Sequence, residues 1–562
     1  MSVKERRKQR KFKWWMGAAA IHFALTFVWS SLIFRSGRFD MGLQVLSQRF
    51  SDEAERMIHT FYAKSLALLL ILLFWWLADK VKNGGLPRRQ LVAFFGTLGV
   101  LTFLIGMGFP ENFYLGDSDN LLTFAHAIRN QPFYWHGALT SIYYAACYYV
   151  FPHPFAVQFI TLMAVSGIVV LGWFRVKGMR PFLILSLFLP ETLTVCTSPY
   201  RNNLYTILLV LTLLLVLQQR KREGQLSSAG KLAFLFLLAI LAVWRTEGIF
   251  FSIGLFLVLF AGTLKTHLKD FVKYSVVLIV FAMLLSAPQK IGNEKYHGKD
   301  YLIITTAEWL PACLNSKGAD LTYDGAAEDL AAIDRVVPVE MIKAMSSRAF
   351  HMNNVASGRS VIQTACSPEE AQAYMKAAFR VVLHNMVPFL KGRFNLAMSS
   401  NGGEFFLGVG QYEGDPLPFD YSIYDQIEEW CERGKSELLQ SGNCSSWEQN
   451  GLRRTVNRLI GYGRAAWSDT LSIRFTLLAA ACIYLVIWVV KLCRSRAFGR
   501  SDWQTALLVC IGIGEIGIVM IGAPEIRTAY YFPTYYFLLA LLCHIFWPVV
   551  QSKIRRDEVN EG

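Results

Sequence analysis

Apolar residues in this chain recur in long blocks, not in the alternation of a half-buried strand or the narrow stripe of a surface helix. Runs such as 65–77 and 204–217 are long, or nearly long enough, to cross a bilayer core, which takes about 20 helical residues. The blocks predict spans near 14–34, 64–79, 90–108, 155–174, 181–197, 203–219, 231–246, 248–263, 272–288, 472–491, 503–522 and 529–550. The chain therefore reads as an all-α polytopic membrane protein. Between the ninth and tenth spans the pattern changes to a long polar stretch rich in turn residues, large enough for a separate domain.

Six segments follow: a basic N-terminus at 1–13, N-terminal spans at 14–108, a membrane core at 109–288, a polar domain at 289–470, C-terminal spans at 471–550 and a tail at 551–562. The first apolar run is longer than the hydrophobic part of a signal peptide and lacks a small-residue cleavage site, so it is read as the first span.

Net charge is +15, with 54% hydrophobic residues. The cations stand in short tracts beside apolar blocks, which argues for orientation and against nucleic acid as a partner. Tracts at 4–13, 80–89, 175–180, 220–231, 265–273, 491–500 and 553–556 are expected on the cytoplasmic side, with both termini. This holds only if 135–151 does not span. That segment carries Trp135, Tyr143, Tyr144, Tyr148 and Tyr149, and such residues favour the membrane interface, so it is expected to lie flat there.

Four polar constellations then share the outer side: GDSDN at 116–120, SPYRNN at 198–203, WRTEG at 244–248 and APEIRT at 523–528. Convergent charge at the outer surface suits a site for a charged, lipid-linked substrate. Asp117 and Asp119 precede an amphipathic segment at 121–129; either could cap that helix, and Asp117 could equally serve as a general base or hold a divalent cation. In WRTEG, Arg245 and Glu247 interrupt apolar sequence, where a charge costs ~2.5–3.5 kcal/mol. Arg245 could bind a lipid phosphate through its fork of donors or pair with Glu247 or an aspartate. Glu525 and Arg527 repeat the theme, paired or around an anion, before a tyrosine-rich run that anchors the last span. Arg201 is a third candidate cation. Asn202 and Asn203 suit sugar hydroxyls or a helix start.

Glu515, inside the eleventh span, is read as a proton-coupling residue or a hydrogen-bonded acid. No metal site is assigned: His126, His136 and His153 are not at ligand spacing, and Cys313, Cys366, Cys431 and Cys444 show no zinc pattern. Those four cysteines could form two disulfides or remain buried thiols.

The order of a span, an acidic outer loop, an interfacial helix, an aromatic helix ending in VFPHPFAVQFI and a span leading to a basic turn resembles the GT-C superfamily of membrane glycosyltransferases. That superfamily includes protein O-mannosyltransferases and the lipid A aminoarabinose transferase. AVWRTEGIFFSIGLFLVLF looks like its Arg-x-Glu-Gly span start, EIRTAYYFPTYYFLLALL like its Arg-Tyr-rich final span, and HNMVPFLKGRFNLAM like the interfacial helix before its later spans. The match runs from about 109 to 262 and again at the C-terminal end. Two departures stand out: two spans precede the one leading into GDSDN, and Asn202 or Asn203 replaces an acid common in the second outer loop.

The resemblance implies a GT-C-like bundle of about 12–13 transmembrane helices with a large extracytoplasmic insertion of mixed or mainly α structure. It further implies a polyprenyl-phosphate-linked sugar as donor and a glycan, lipid or protein as acceptor. Asp117 would take the proton from an acceptor hydroxyl, with inversion at the anomeric carbon, and Asp119 would orient it, with room for a divalent cation. Arg245, Arg527 and Arg201 would bind the donor phosphate, supported by Glu247, Glu525, Asn202 and Asn203. The polar domain would bind or gate the acceptor, with its NGGEFFLGVGQYEGD stretch as a loop. Competing readings are a lipid-linked polysaccharide polymerase or ligase, a transporter or flippase, and a non-catalytic scaffold.

Overall fold

The computed structural model of the chain describes residues 14–28, 53–108, 138–151, 156–187, 189, 192–197, 201–220, 227–266, 268–296, 299–316, 318–344, 366–400, 470–495, 499–522 and 530–561. Every described element is a helix. The first eleven are α1 (Trp14–Val28), α2 (Glu53–Lys82), α3 (Arg88–Gly108), α4 (Ala138–Val150), α5 (Ala156–Val170, extended by a π-helical turn, Leu171–Arg175), α6 (Met179–Ser186), α7 (Thr192–Thr197), α8 (Arg201–Arg220), α9 (Ser228–Trp244), α10 (Gly248–Thr266) and α11 (Leu268–Tyr296). After them come α12 (Lys299–Ala307), α13 (Leu310–Asn315), α14 (Ala326–Asp334), α15 (Val339–Ala344), α16 (Pro368–His384), α17 (Met386–Ser400), α18 (Thr470–Ser495), α19 (Arg500–Gly522) and α20 (Phe532–Glu561).

Among the described residues, seven helices are long and apolar enough to cross a bilayer: Thr60–Lys82, Ala156–Arg175, Arg201–Gln219, Leu268–Lys290, Arg474–Arg494, Asp502–Gly522 and Phe532–Ser552. Four shorter apolar helices, Trp14–Val28, Ala138–Cys147, Ser228–Trp244 and Gly248–Phe260, accompany them. The chain is thus a polytopic helical bundle. Helices α8 and α20 form its centre and pack on each other, while α11 and α18 turn most of their apolar side chains outward, as lipid-facing helices do.

The expected span at 181–197 is not one helix. It is divided into α6 and α7, and the sequence between them carries Pro190, which disfavours helix at the residue before it. Thr192 bridges the break, its hydroxyl bonded to the Ser186 carbonyl and to the Tyr536 hydroxyl of α20.

The tyrosine-rich segment, expected not to span, is a short helix with two of its tyrosines buried. Helix α4, with 13 residues, is about 20 Å long at 1.5 Å per residue, too short to span. It lies along α2, with α5, α9 and α11 also against it, and Tyr144 and Tyr149 are buried instead of lying at a surface. Small residues permit this approach: Ala138, Ala145 and Ala146 share a core with Ala63 and Ala67 of α2. Lys64 pins the corner, donating to the Thr26 carbonyl at 2.8 Å and to its hydroxyl at 3.0 Å, over the rings of Phe27 and Tyr149.

Helix α11 runs through Pro288 to Tyr296, so the boundary expected after 288 falls inside one helix. A proline lacks the N–H that would bond the carbonyl four residues earlier. Tyr62 of α2 supplies the missing donor, its hydroxyl reaching the Leu284 carbonyl at 2.8 Å.

Helices α12 to α16 and the start of α17 enclose a second core around Ile303, Ile333, Tyr374 and Val381. Every described element of the expected separate domain is a helix, joined by turns such as that at 318–325. A Ser367 and Glu370 capping box starts α16, and Asn385 ties its end to Asp320, accepting from its N–H at 2.7 Å and donating to its carbonyl at 3.0 Å. Cys313 is a buried thiol in this core, pushed up to about 12 by burial, and Cys366 is buried in the same core; Cys431, Cys444 and the 401–415 glycine-rich stretch lie outside the described residues.

Gly178, at the turn into α6, has φ +78°, and a Cβ there would stand 3.1 Å from the His544 Cα and 3.2 Å from the Cys543 carbonyl oxygen. Gly178→Ala is expected to cost at least the ~1–2 kcal/mol of a left-handed non-glycine residue. Thermal unfolding of detergent-solubilised protein should show a lowered midpoint, and an unchanged midpoint would contradict the close packing of this turn on α20.

Candidate functional site

Among the described residues, buried charge gathers where α9 turns into α10. Helix α9 ends at Trp244, and Arg245 leaves it in extended backbone, φ −142° and ψ 152°. The chain reverses within three residues, the Gly248 N–H bonding the Arg245 carbonyl at 3.0 Å and the Phe250 N–H bonding the Glu247 carbonyl at 3.0 Å. Only glycine fits at 248, because a Cβ would lie 1.9 Å from the Leu241 carbonyl oxygen. This is the physical content of the Arg-Thr-Glu-Gly sequence. A helix is restarted against the last turn of its predecessor, and two charged side chains are left in the corner.

Arg245 is enclosed from several sides. Its guanidinium donates to the Asn202 Oδ1 of α8 and forms an ion pair with Glu247, both partners being almost wholly buried. The ring of Tyr205 lies 5.9 Å from the guanidinium carbon and that of Tyr530 lies 5.2 Å from it. The Thr246 hydroxyl donates to the second Glu247 oxygen at 3.1 Å. The Trp244 indole N–H bonds the Arg201 carbonyl at 3.2 Å, fixing the hairpin to the start of α8. Glu515 of α19, 1% exposed, stands within electrostatic reach of Arg245 and Glu247.

Of the residues expected from sequence, Arg245, Glu247 and Asn202 come together here. Arg201 is half-buried at the first position of α8, beside the same corner, and Asn203 is buried next to it. The pairing of Arg245 with Glu247, one of the two readings left open by the sequence, is formed. Asp117, Asp119, Glu525 and Arg527 lie outside the described residues, as does the 121–129 segment. Among the described residues no group of three or more His, Cys, Asp or Glu side chains is placed to hold a metal ion.

Two further buried arginines belong to the same end of the bundle. Arg393 of α17, 3% exposed, donates from Nε to the Met520 carbonyl at 2.9 Å and faces Glu308 and Tyr531. Burial pulls its guanidinium down to about 10, against Glu308, which favours the charged form. Arg474 of α18, also buried, has its guanidinium carbon 5.5 Å from the ring of Tyr535, which stacks on Tyr531. Neither was singled out from sequence. The available signal was position: on the orientation expected above, each is an arginine on the side of the membrane that basic residues avoid.

No family model, curated protein or solved structure matches the chain.

Breaking a buried ion pair by removing one partner costs about 3–5 kcal/mol, because the other charge is left uncompensated. Arg245→Ala is therefore expected to destabilise the protein more than Arg245→Ala combined with Glu247→Ala. Equal unfolding midpoints for the single and double variants would remove the pair from the account. Gly248→Ala should abolish recovery of folded protein, read by size-exclusion chromatography after extraction, since the clash is with backbone.

Proposed function

We propose that this chain is an integral membrane glycosyltransferase that moves a sugar from a polyprenyl-phosphate donor to an acceptor hydroxyl at the extracytoplasmic face, with inversion. The observation that carries the reading is the Arg245 corner: a permanent cation, buried at the end of a helical hairpin and oriented by Glu247, Asn202, Tyr205 and Tyr530. A guanidinium so fixed offers a planar fork to phosphate oxygens and needs no rearrangement as charge grows on them. Arg201, Arg393 and Arg474 add positive charge at the same end, where the expected Arg527 also falls in sequence. The bundle would be a GT-C-like one of about 12–13 helices, both termini cytoplasmic, with the helical domain of α12 to α17 on the outer side.

In this reaction the acceptor oxygen attacks the anomeric carbon and the bond from that carbon to the phosphate oxygen breaks. The bonding pair leaves on the phosphate, whose growing charge the arginines stabilise. The acceptor proton passes to Asp117, with Asp119 orienting that carboxylate, directly or through a divalent cation. Glu247 holds Arg245 in place until phosphate arrives and then shares it, so the donor completes a partly formed charge network. The arginines equally favour a polysaccharide polymerase or ligase acting on lipid-linked substrates, and the two reactions part at Asp117.

Asp117→Asn is expected to abolish sugar transfer in membranes supplied with polyprenyl-phosphate sugar while the protein remains inserted and folded. Full activity of that variant would sink the base assignment and favour the polymerase or ligase reading. Arg245→Lys, which keeps the charge and loses the fork, should weaken donor binding by roughly tenfold or more. Donor affinity equal to that of the unaltered protein would remove Arg245 from the phosphate site.

A further inference from the structure

Beside the Arg245 corner, two polar atoms are buried and unused. The hydroxyl of Tyr205 and the Oε2 of Glu515 have no hydrogen-bond partner among the described residues, and the two side chains are 0% and 1% exposed. The Tyr205 hydroxyl lies against the first turn of α10, and α19, which carries Glu515, packs on the same helix. On the α8 side the Cβ position of Gly248 is 3.2 Å from the Tyr205 hydroxyl oxygen. On the α19 side the Cβ position of Gly514, the residue before Glu515, is 2.9 Å from Cζ of Phe250. The two groups also lie within electrostatic reach of each other and of Arg245 and Glu247.

Native interiors rarely leave such groups unsatisfied, and each exception calls for a partner that occupies the space in the working protein. In the reading above a phosphate is already placed at Arg245, and a phenol and a buried carboxyl beside it suit a neutral polar group. A hydroxyl group suits either atom: it can donate to the carboxyl oxygen and it can accept the phenolic O–H. Phosphate at the arginine and a neutral hydroxyl beside it are the two polar halves of a glycosyl phosphate.

We propose that Tyr205 and Glu515 form a subsite for a sugar hydroxyl of the lipid-linked donor, next to the phosphate held by Arg245. This rests on the glycosyltransferase reading above. It makes the pair sugar-specific where Arg245 is phosphate-specific, and the two roles separate by ligand. The full chain in lipid nanodiscs, titrated by its tryptophan fluorescence, would be offered farnesyl phosphate and farnesyl phosphate carrying glucose, mannose, galactose or arabinose.

At least one glycosylated probe is expected to bind more tightly than farnesyl phosphate. Tyr205→Phe, which keeps the ring beside Arg245, and Glu515→Gln should each reduce the preference for that probe over farnesyl phosphate by roughly five- to tenfold. Two variants are used so that a folding defect in one leaves the other informative. Glycosylated probes that bind no better than farnesyl phosphate, variants that keep the sugar preference, or variants that weaken both ligands alike would overturn the subsite and leave the pair holding water. Should farnesyl phosphate fail to bind, or bind equally well to Arg245→Ala, the phosphate reading itself falls and the subsite with it.

Discussion

A guanidinium buried in a helix bundle cannot be left with its charge unbalanced, and much of the arrangement around α9 and α10 follows from accommodating Arg245. The charge demands a carboxylate, which Glu247 supplies two residues on, and its donors demand acceptors, which brings the start of α8 within reach through Asn202. Bringing α8 there requires the Trp244 bond to the Arg201 carbonyl. Holding the hairpin so tight requires a glycine at 248. Remove the charge and none of these features has a reason to coincide.

Packing supplies the frame in which that corner is stable. Lipid offers little hydrophobic drive for helices to associate, so their contacts depend on close fit and on polar groups finding partners. Several partners come from unexpected places: Tyr62 for the carbonyl that Pro288 leaves open, Thr192 across the break at Pro190, and Lys64 at the corner of α1, α2 and α4. Each is a side chain correcting a local defect in backbone hydrogen bonding or a buried charge. Together they allow irregular segments to sit inside a bundle whose outer helices are plain apolar cylinders.

Much of this was legible in the sequence. The long spans α2, α5, α8, α11, α18, α19 and α20 follow from uninterrupted apolar runs, which have one stable solution in a bilayer. The expected span at 181–197 misled because hydropathy is blind to Pro190, whereas the reading of 135–151 as a segment that does not span agrees with the length of α4. Arg245 and Glu247 were identified by the cost of charge in apolar sequence, and Asn202 by its capacity to bond sugar hydroxyls or start a helix. Their neighbours Tyr205 and Tyr530 were not, since an aromatic residue in a span carries no such signal. Glu515 was visible only as an isolated acid, because its proximity to Glu247 depends on how α10 crosses α19. Arg393 and Arg474 were hidden by context, one in a segment read as an interfacial helix and one at the edge of a span.

The last turn of α19 has a property that ordinary spans lack. Its carbonyls at Met520 and Ile521 are bonded by Arg393 and by the Trp309 indole N–H, at 2.9 and 3.2 Å, both from the appended helical domain. A span that ends among lipid headgroups shifts or tilts with bilayer thickness. Here the end is registered to protein through two hydrogen bonds, so its position follows the helical domain and not the lipid headgroups alone.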